Sequence, residues 1–231
     1  MIDAAPHRPE AYRRERLDAA DALRRSHAFL ELMRTRRSIR SFAPEPVPLE
    51  LVLDAVRVAG SAPSGANQQP WRFEVVTDPG LKRRLRAAAE REERLLYERR
   101  AGPEYLRAIR PIGTDWSKPH ITEAPCLVVA FEQPWREEDG DRHKHYYVRE
   151  SVGIAVGFLL CALHNSGLGT LTHAPSPMGF LRELLGRPEH ERPFLLIAVG
   201  YPAEEATVPS LPRKSLAEIA NVDGRPAGER R

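Results

Sequence analysis

Residues 146–166 form the most apolar stretch of the chain, and this stretch constrains the fold more than any other. Its apolar side chains include Val152, Ile154, Val156, Phe158 and Leu159. A helix that is hydrophobic nearly all round has to be buried, either in the middle of a domain or against a partner subunit. The sequence therefore predicts a central helix here, covered by other elements or by a second copy of the chain.

Short apolar runs alternate with amphipathic segments along the rest of the chain. The runs 125–131 and 193–199 are almost continuously apolar, as expected for strands buried on both faces. This alternation predicts an α/β or α+β fold with a small mixed sheet flanked by helices. Further strands are predicted at 71–76 and 168–172, and helices at 10–35, 48–59, 80–101 and 178–185.

Composition excludes several classes of protein. The 231 residues are 42% apolar and 29% charged, and no window approaches the ~18 consecutive apolar residues of a membrane span. No secretory signal is visible at the N-terminus. Cys126 and Cys161 each lie at or in an apolar run, so we interpret both as small core residues in a protein of the reducing cytoplasm.

The charge distribution argues against nucleic-acid binding. The net charge is +3, and residues 1–40 hold ten arginines and six acidic residues, which makes a basic arm on a nearly neutral body. No Gly-x-Gly-x-x-Gly fingerprint for a nicotinamide cofactor is present, and no metal site is predicted. Histidines without metal-ligand spacing, which we interpret as surface or core residues, are His120, His143, His145, His164 and His190.

We expect two parts in the chain, an N-terminal helical arm over 1–30 and a main domain over 31–231. The main domain includes a polar segment at 92–120, interrupted by Gly102-Pro103, which is more typical of a lid than of a core. After the last strand, an extended proline-rich tail reaches the C-terminus.

Three arginines stand within five residues at Arg36, Arg37 and Arg40, with Ser38 between them. Guanidinium groups can hold a phosphate or a carboxylate with pairs of parallel N–H bonds. The segment is therefore either an anion site or a solvated basic surface. The loop 61–70 that follows is rich in small residues, which let backbone N–H groups approach a ligand closely.

Glu93 and Tyr97 stand four residues apart and so share one helix face, and Lys118 follows 21 residues later. A carboxylate, a phenol and an ammonium can together satisfy a zwitterionic amino acid. Glu93 would take its ammonium, Lys118 its carboxylate, and Tyr97 a hydrogen bond to either. The alternative is that Glu93 is one more charge on a solvated helix.

Five motifs in register give the chain a resemblance to a known family. RRSIRSF, SAPSGANQQPW, the apolar helix after HYY, LGTLTHAP, and VGYP with PRK together resemble the FMN-dependent nitroreductase superfamily. Within it, the run EERLLY followed by WSK resembles the iodotyrosine deiodinase branch. The resemblance covers about residues 33–217 and implies an α+β fold, an intertwined homodimer and FMN bound at the subunit boundary.

The resemblance also implies roles for single residues. The Ala66 N–H matches the donor aimed at the substrate phenolate, and Thr172 and Ala174 match the catalytic segment against flavin N5. Glu93, Tyr97 and Lys118 match a trio that closes as a lid over the substrate. The residues that match FMN contacts are Arg36, Arg37, Ser38, Arg40, Ser64, Gly65, Thr172, His173, Ala174 and Arg213.

The expected activity is reductive dehalogenation of a halotyrosine, a small aromatic substrate stacked on FMN. One departure keeps alternatives open, because the deiodinases have a threonine hydroxyl where this chain has Ala174, and that hydroxyl favours one-electron chemistry. Alanine offers only its backbone N–H, as in nitroreductases that transfer hydride from NAD(P)H. A flavin-binding or ligand-binding module without turnover is the third alternative.

Overall fold

The structure is a computed structural model that describes residues 7–227, in two units that meet after Arg36. Residues 1–6 of the predicted arm and residues 228–231 of the tail lie outside the described part. Over its described residues, 7–36, the first unit contains one helix, α1 (Ala19–Thr35). It begins nine residues later than predicted, because the Asp18 carboxylate accepts a hydrogen bond from the Asp21 N–H at 2.8 Å and so caps the helix there.

The second unit contains the sheet and its covering helices. Short 3-10 turns form at Gly65–Asn67 and Arg110–Ile112, and a π-helical turn at Leu96–Arg100 extends the third helix. The helices and strands, in chain order, are α2 (Leu49–Gly60), β1 (Trp71–Val76), α3 (Pro79–Leu95), α4 (Pro103–Ile109), α5 (His120–Glu123), β2 (Cys126–Glu132), β3 (Trp135–Glu138), β4 (Asp141–Lys144), α6 (Val148–Asn165), β5 (Gly169–His173), α7 (Gly179–Leu184), β6 (Arg192–Gly200), α8 (Leu216–Ile219), β7 (Asn221–Val222) and β8 (Arg225–Pro226).

The main sheet has four strands in the order β1-β2-β6-β5, and every pairing in it is antiparallel. The α+β class is confirmed, but the predicted mixed sheet is wrong for these strands. The expected burial on both faces is present, because helices cover both faces of this antiparallel sheet. An isolated parallel bridge between Ser38 and Thr170 lies outside the named strands.

Alternation along β2 separates two cores on opposite faces of the sheet. Val128 and Ala130 pack with α2 and α6, whereas Leu127, Val129 and Phe131 pack with α3, α5 and α7. Both sets are fully buried. The result is a layer of helices on each side of the sheet, which explains why β2 and β6 are almost continuously apolar.

Helix α6 is buried on one face only. Val152, Ala155 and Leu159 are fully buried against the sheet and α2, whereas Ile154 and Phe158 are 43% and 39% exposed. Within one chain, the prediction of a helix that is buried on all sides is therefore confirmed for one face and not for the other. The uncovered apolar side chains bear on the oligomeric state considered below.

Strands β3 and β4 form a hairpin that the sequence patterns did not predict. Its residues are mostly charged and show no alternation of apolar and polar side chains. Glu138 pairs with Asp141 across the turn residues Asp139 and Gly140, both of which have positive φ. An Asp-Gly pair between two extended runs is a strong signal for a β-hairpin, so Asp139-Gly140 could have identified this hairpin from the sequence.

Helix α3 supplies Glu93 to the site described below, and its first turn is capped by Asp78. The Asp78 carboxylate accepts a hydrogen bond from the Leu81 N–H at 2.6 Å. We expect Asp78→Ala to lower the free energy of unfolding by about 1 kcal/mol, because one helix N–H loses its acceptor. Urea denaturation measures this, with Glu45→Ala on an exposed loop as the control. A change equal to that of the control would contradict the prediction.

The buried position of Cys126 agrees with the expectation from its apolar run. Cys126 is buried, its thiol pKa is raised to about 12 by that burial, and Cys161 is half-buried. Both are free thiols. Among residues 7–227, no helix has both the length and the apolar character to cross a bilayer, and no group of His, Cys, Asp or Glu side chains is placed to hold a metal ion.

Candidate active site

A cavity of about 520 Å³ opens between the end of α3, the segment 105–120 and the end of β5. Its lining includes three of the four residues predicted to bind substrate, Glu93, Tyr97 and Lys118, but not Ala66. The structure thus brings together side chains that are separated in the sequence by the end of α3, a π-helical turn and two short helical segments. Folding of the segment 96–117 back over the sheet places Lys118 opposite Glu93.

Glu93 is the centre of a buried charge cluster. Its Oε2 lies 3.2 Å from Lys118 Nζ, and its Oε1 lies 3.0 Å from His173 Nε2. The side chains of Glu93, Lys118 and His173 are only 7%, 5% and 11% exposed. Glu93 is therefore not a charge on a solvated helix, and that alternative is wrong.

The neighbours of Glu93 keep it ionised. Burial alone would raise the pKa of Glu93, but the hydrogen bond from His173 and the positive charge of Lys118 outweigh it and hold that pKa below its usual value. A buried charge without such partners would be strongly unfavourable. The cavity thus contains a fixed carboxylate next to a fixed ammonium.

Tyr97 and Lys118 both interact with the turn Thr114–Asp115. The Tyr97 hydroxyl donates to Thr114 O at 3.3 Å, and Lys118 Nζ donates to Thr114 Oγ1 at 3.3 Å and to Asp115 O. Lys118 Nζ also lies 5.5 Å from the centroid of the Tyr97 ring. Burial raises the pKa of Tyr97, so the phenol stays protonated and can donate.

A second carboxylate on α3 anchors the backbone at Lys118. Glu90 Oε1 accepts from the Lys118 N–H at 2.8 Å and from Arg86 Nε at 2.7 Å. Burial would raise the pKa of Glu90, but these two hydrogen bonds lower it overall. Lys118 is therefore held by α3 through its backbone as well as through its side chain.

His120 is a residue of the cavity that sequence patterns did not identify. It is 6% exposed and meets His173 edge to face, with ring centroids 5.3 Å apart. Burial is the main cause that lowers the pKa of His120 to about 3, and the neighbouring His173 and Lys118 add to this effect, so the ring of His120 is neutral. No spacing signal marked it, because its relation to His173 arises only when α5 packs beside β5.

The end of β5 lines the same cavity with Thr172, His173 and Ala174. Arg40 lies beside them, and burial lowers its pKa. Among the described residues 7–227, no carboxylate is recorded within ion-pairing distance of Arg40. A half-buried guanidinium that faces a cavity without an acidic partner suits an anionic or carbonyl-rich ligand such as FMN.

The arginine segment lies alongside β5 in the second unit. The Ile39 N–H donates to Thr170 O at 2.9 Å, next to the bridge between Ser38 and Thr170. The Arg37 guanidinium donates to Pro209 O, which joins this segment to the C-terminal tail four residues before Arg213. Arg36 ends α1 in the first unit, where its N–H donates to Met33 O.

The loop that contains Ser64, Gly65 and Ala66 does not line this cavity. It is fixed instead near the start of α6, where Gly65 N donates to Ser151 Oγ at 3.4 Å and Ser64 Oγ accepts from Gln69 N at 2.9 Å. Ala66 has φ of 49°, a left-handed conformation that is uncommon for alanine. A Cβ on Gly65 would lie 2.7 Å from Tyr146 O, so glycine is required there. Within one chain, Ser64, Gly65 and Ala66 are therefore not among the residues that line the cavity.

Comparisons with known proteins show which family the chain belongs to. The profile of the nitroreductase family matches residues 33–201, which is most of the chain. The chain belongs to the nitroreductase family. Its relatives in that family include the iodotyrosine deiodinase of Haliscomenobacter hydrossis, which is 48% identical over 212 residues, covering 91% of this chain and 96% of that protein.

A human protein and a solved structure are also similar to this nitroreductase-family chain. Human iodotyrosine deiodinase 1 is 44% identical over 201 residues, covering 86% of this chain and 70% of that protein. A crystal structure of oxidised iodotyrosine deiodinase bound to FMN and 3-iodo-L-tyrosine aligns with a TM-score of 0.71 at 36% identity, covering 81% of this chain and 95% of that one. The nitroreductase-like α+β fold predicted from the motifs is confirmed.

Proposed function

We propose that the chain is an FMN-dependent oxidoreductase that removes halogen from a halotyrosine by reduction. The observation on which this rests is the buried pair of Glu93 and Lys118 at 3.2 Å in the cavity, with Tyr97 beside it. An α-amino acid zwitterion carries one charge of each sign, and few other small molecules would match both members of such a pair. The similarity to iodotyrosine deiodinases over nine-tenths of the chain supports the same substrate class.

Binding exchanges one ion pair for two. Glu93 releases Lys118 and accepts the substrate ammonium, Lys118 turns to the substrate carboxylate, and Tyr97 donates a hydrogen bond to that carboxylate. The exchange is favourable because each buried charge keeps an opposite partner, so neither is left uncompensated. Occupation of the cavity by the amino acid also excludes water from the space beside β5.

FMN, once bound and reduced by an external donor such as NAD(P)H or dithionite, would supply the two electrons with which the carbon–halogen bond is broken, and a proton would take the place of the released halide. We propose that Arg37, Ser38, Arg40 and Arg213 hold its phosphate and ribityl groups, with Arg36 added on the resemblance alone. Thr172, His173 and Ala174 would lie against its ring. Support comes from Arg40, which faces the cavity half-buried without an acidic partner among residues 7–227.

We further propose a homodimer in which a second copy supplies Ser64, Gly65 and the Ala66 N–H. Within one chain this loop does not line the cavity, so a partner subunit would complete the site. Exposed apolar side chains on two helices that pack together, among them Val58, Ile154 and Phe158, also favour a covering partner. A cytoplasmic location is proposed from the two free thiols.

The test is a single-turnover experiment. FMN on the loaded protein is reduced anaerobically, 3-iodotyrosine is added, flavin absorbance is followed, and tyrosine and iodide are measured by chromatography. We expect reoxidation with one tyrosine and one iodide per flavin. The control is 2-iodophenol, which has the same carbon–iodine bond but no zwitterion and should react far more slowly. Absence of tyrosine would reject dehalogenation.

A nitroreductase that uses NAD(P)H is the second candidate, and Ala174 favours it. The methyl side chain offers no hydrogen-bond donor at the end of β5, where the resemblance places flavin N5. We expect Ala174→Thr to raise the rate of dehalogenation relative to that of nitroaromatic reduction by about tenfold, the effect of one additional hydrogen bond.

The control for this prediction is Ala174→Val, which adds the same branched shape without the hydroxyl. Both rates are measured for each variant, with 3-iodotyrosine and a nitrophenol as substrates and NAD(P)H or dithionite as reductant. An equal change of the ratio in both variants would mean that shape, not hydrogen bonding, is responsible. Faster turnover of nitrophenol than of iodotyrosine by the unsubstituted chain with NAD(P)H would favour the second candidate.

A further inference from the structure

His173 makes a contact that the zwitterion-binding trio does not explain. Its Nε2 lies 3.0 Å from Glu93 Oε1. A carboxylate can only accept hydrogen bonds, so the Nε2 atom must bear the proton and donate it. The other ring nitrogen, Nδ1, is buried and has no hydrogen-bond partner among the described residues. The orientation of the ring therefore depends on the bond to Glu93 and on packing.

Packing fixes the ring from a second direction. His120 meets it edge to face at an interplanar angle of 79°, and the His173 side chain is 11% exposed. His120 comes from α5, whereas His173 is the last residue of β5. Because β5 is a strand of the main sheet and α5 packs in the core on one face of that sheet, the donor atom Nε2 is held at a defined place.

The two oxygens of Glu93 are divided between two donors, His173 on Oε1 and Lys118 on Oε2. In the proposed function only the Lys118 contact must open, since the ammonium of the substrate replaces it. The His173 contact can persist throughout. When the substrate is bound, the hydrogen bond from His173 therefore still defines the direction of the Glu93 carboxylate.

We propose that His173 is a positioning residue that selects α-amino acid substrates by holding Oε1 of Glu93 and so directing Oε2 at the substrate ammonium. This inference rests on the proposed function. It assigns His173 a role in substrate selectivity in addition to the FMN contact implied by its place in LGTLTHAP. The role concerns the charged end of the substrate and not the halogenated ring.

The test compares two ligands with the FMN-loaded protein, 3-iodotyrosine and 2-iodophenol, by quenching of flavin fluorescence. We expect His173→Leu, which has no donor, to raise Kd for 3-iodotyrosine about 20-fold, the value of one hydrogen bond to a charged group, and to change Kd for 2-iodophenol by less than about twofold. His173→Gln keeps an N–H donor, and we expect it to restore most of the affinity. In steady state, KM for 3-iodotyrosine should rise with little change in kcat.

His143 on the exposed strand β4 provides matched controls, His143→Leu and His143→Gln, which should change neither Kd. If His173→Leu does not retain FMN, His173→Asn replaces it, because its shorter side chain keeps polarity but cannot reach Oε1. Equal weakening of both ligands, or no weakening of 3-iodotyrosine, would overturn the inference while leaving the proposed function intact. An unsubstituted protein that does not prefer 3-iodotyrosine to 2-iodophenol would instead reject the proposed function and the inference together.

Discussion

Glu93→Gln is expected to weaken the binding of 3-iodotyrosine by about 100-fold, or about 2.7 kcal/mol. The substitution keeps the shape of the side chain but removes the negative charge that the substrate ammonium would meet in a buried site. It also leaves Lys118, whose side chain is 5% exposed, without its carboxylate partner. Titration of the FMN-loaded protein, followed by flavin fluorescence, measures the effect.

The control for this substitution is Glu98→Gln, which makes the same chemical change on an exposed residue of the π-helical turn and should leave Kd unchanged. The second comparison is 2-iodophenol, whose affinity should be the same for the unsubstituted protein and for Glu93→Gln. If both ligands lose affinity equally, Glu93 supports the structure of the cavity and does not bind the zwitterion. An unchanged Kd for 3-iodotyrosine would remove the basis of the proposed substrate class.

His120 is expected to make the protein less stable in mild acid. Burial lowers its pKa from 6.5 to about 3 in the folded chain, whereas the unfolded chain protonates near 6.5. Between these two values the unfolded state binds more protons, so stability falls as pH falls through that window. From about pH 7.5 to about pH 5, this residue alone should lower the free energy of unfolding by about 2 kcal/mol.

The measurement is urea denaturation at several pH values for the unsubstituted protein and for His120→Phe. Phenylalanine keeps a ring against His173 but does not titrate, so the variant should lose about 2 kcal/mol less over the same range. His143→Phe on the exposed hairpin controls for the loss of a histidine that is already solvated. Parallel pH profiles for the unsubstituted protein and His120→Phe would show that His120 is protonated in the folded state.

The apolar elements were predictable from sequence because burial leaves a direct pattern. Strand β1 begins and ends as predicted, and β2 and β6 differ from their predicted ranges by one residue at either end. The hairpin β3–β4 was missed because both strands are solvated and no apolar alternation is needed there. The sheet is antiparallel and not mixed as predicted, because burial on both faces indicates that helices cover the sheet and not in which direction its strands run.

The site was predictable in part, through residues that are close in sequence or fit a known motif order. Glu93 and Tyr97 share a helix, and Lys118 was placed with them by resemblance. The contact between His173 and Glu93 spans 80 residues and depends on how α3 and β5 pack, which no local pattern encodes. For the same reason His120 was interpreted as an ordinary surface or core histidine.

If Tyr97 binds the substrate as proposed, the π-helical turn at Leu96–Arg100 makes the length of this segment a determinant of ligand choice. The Ala101 N–H donates to Leu96 O at 2.8 Å, which closes a turn one residue wider than an α-helical turn. Loss of one residue before Tyr97 would rotate the rest of this turn by about 100° around the helix axis. A family member without the additional residue would present another side chain at the position of Tyr97 in the cavity. This would hold even if all its other residues were the same. Insertions and deletions in this turn are therefore a route by which cavities of this fold could gain or lose the capacity to bind amino acids.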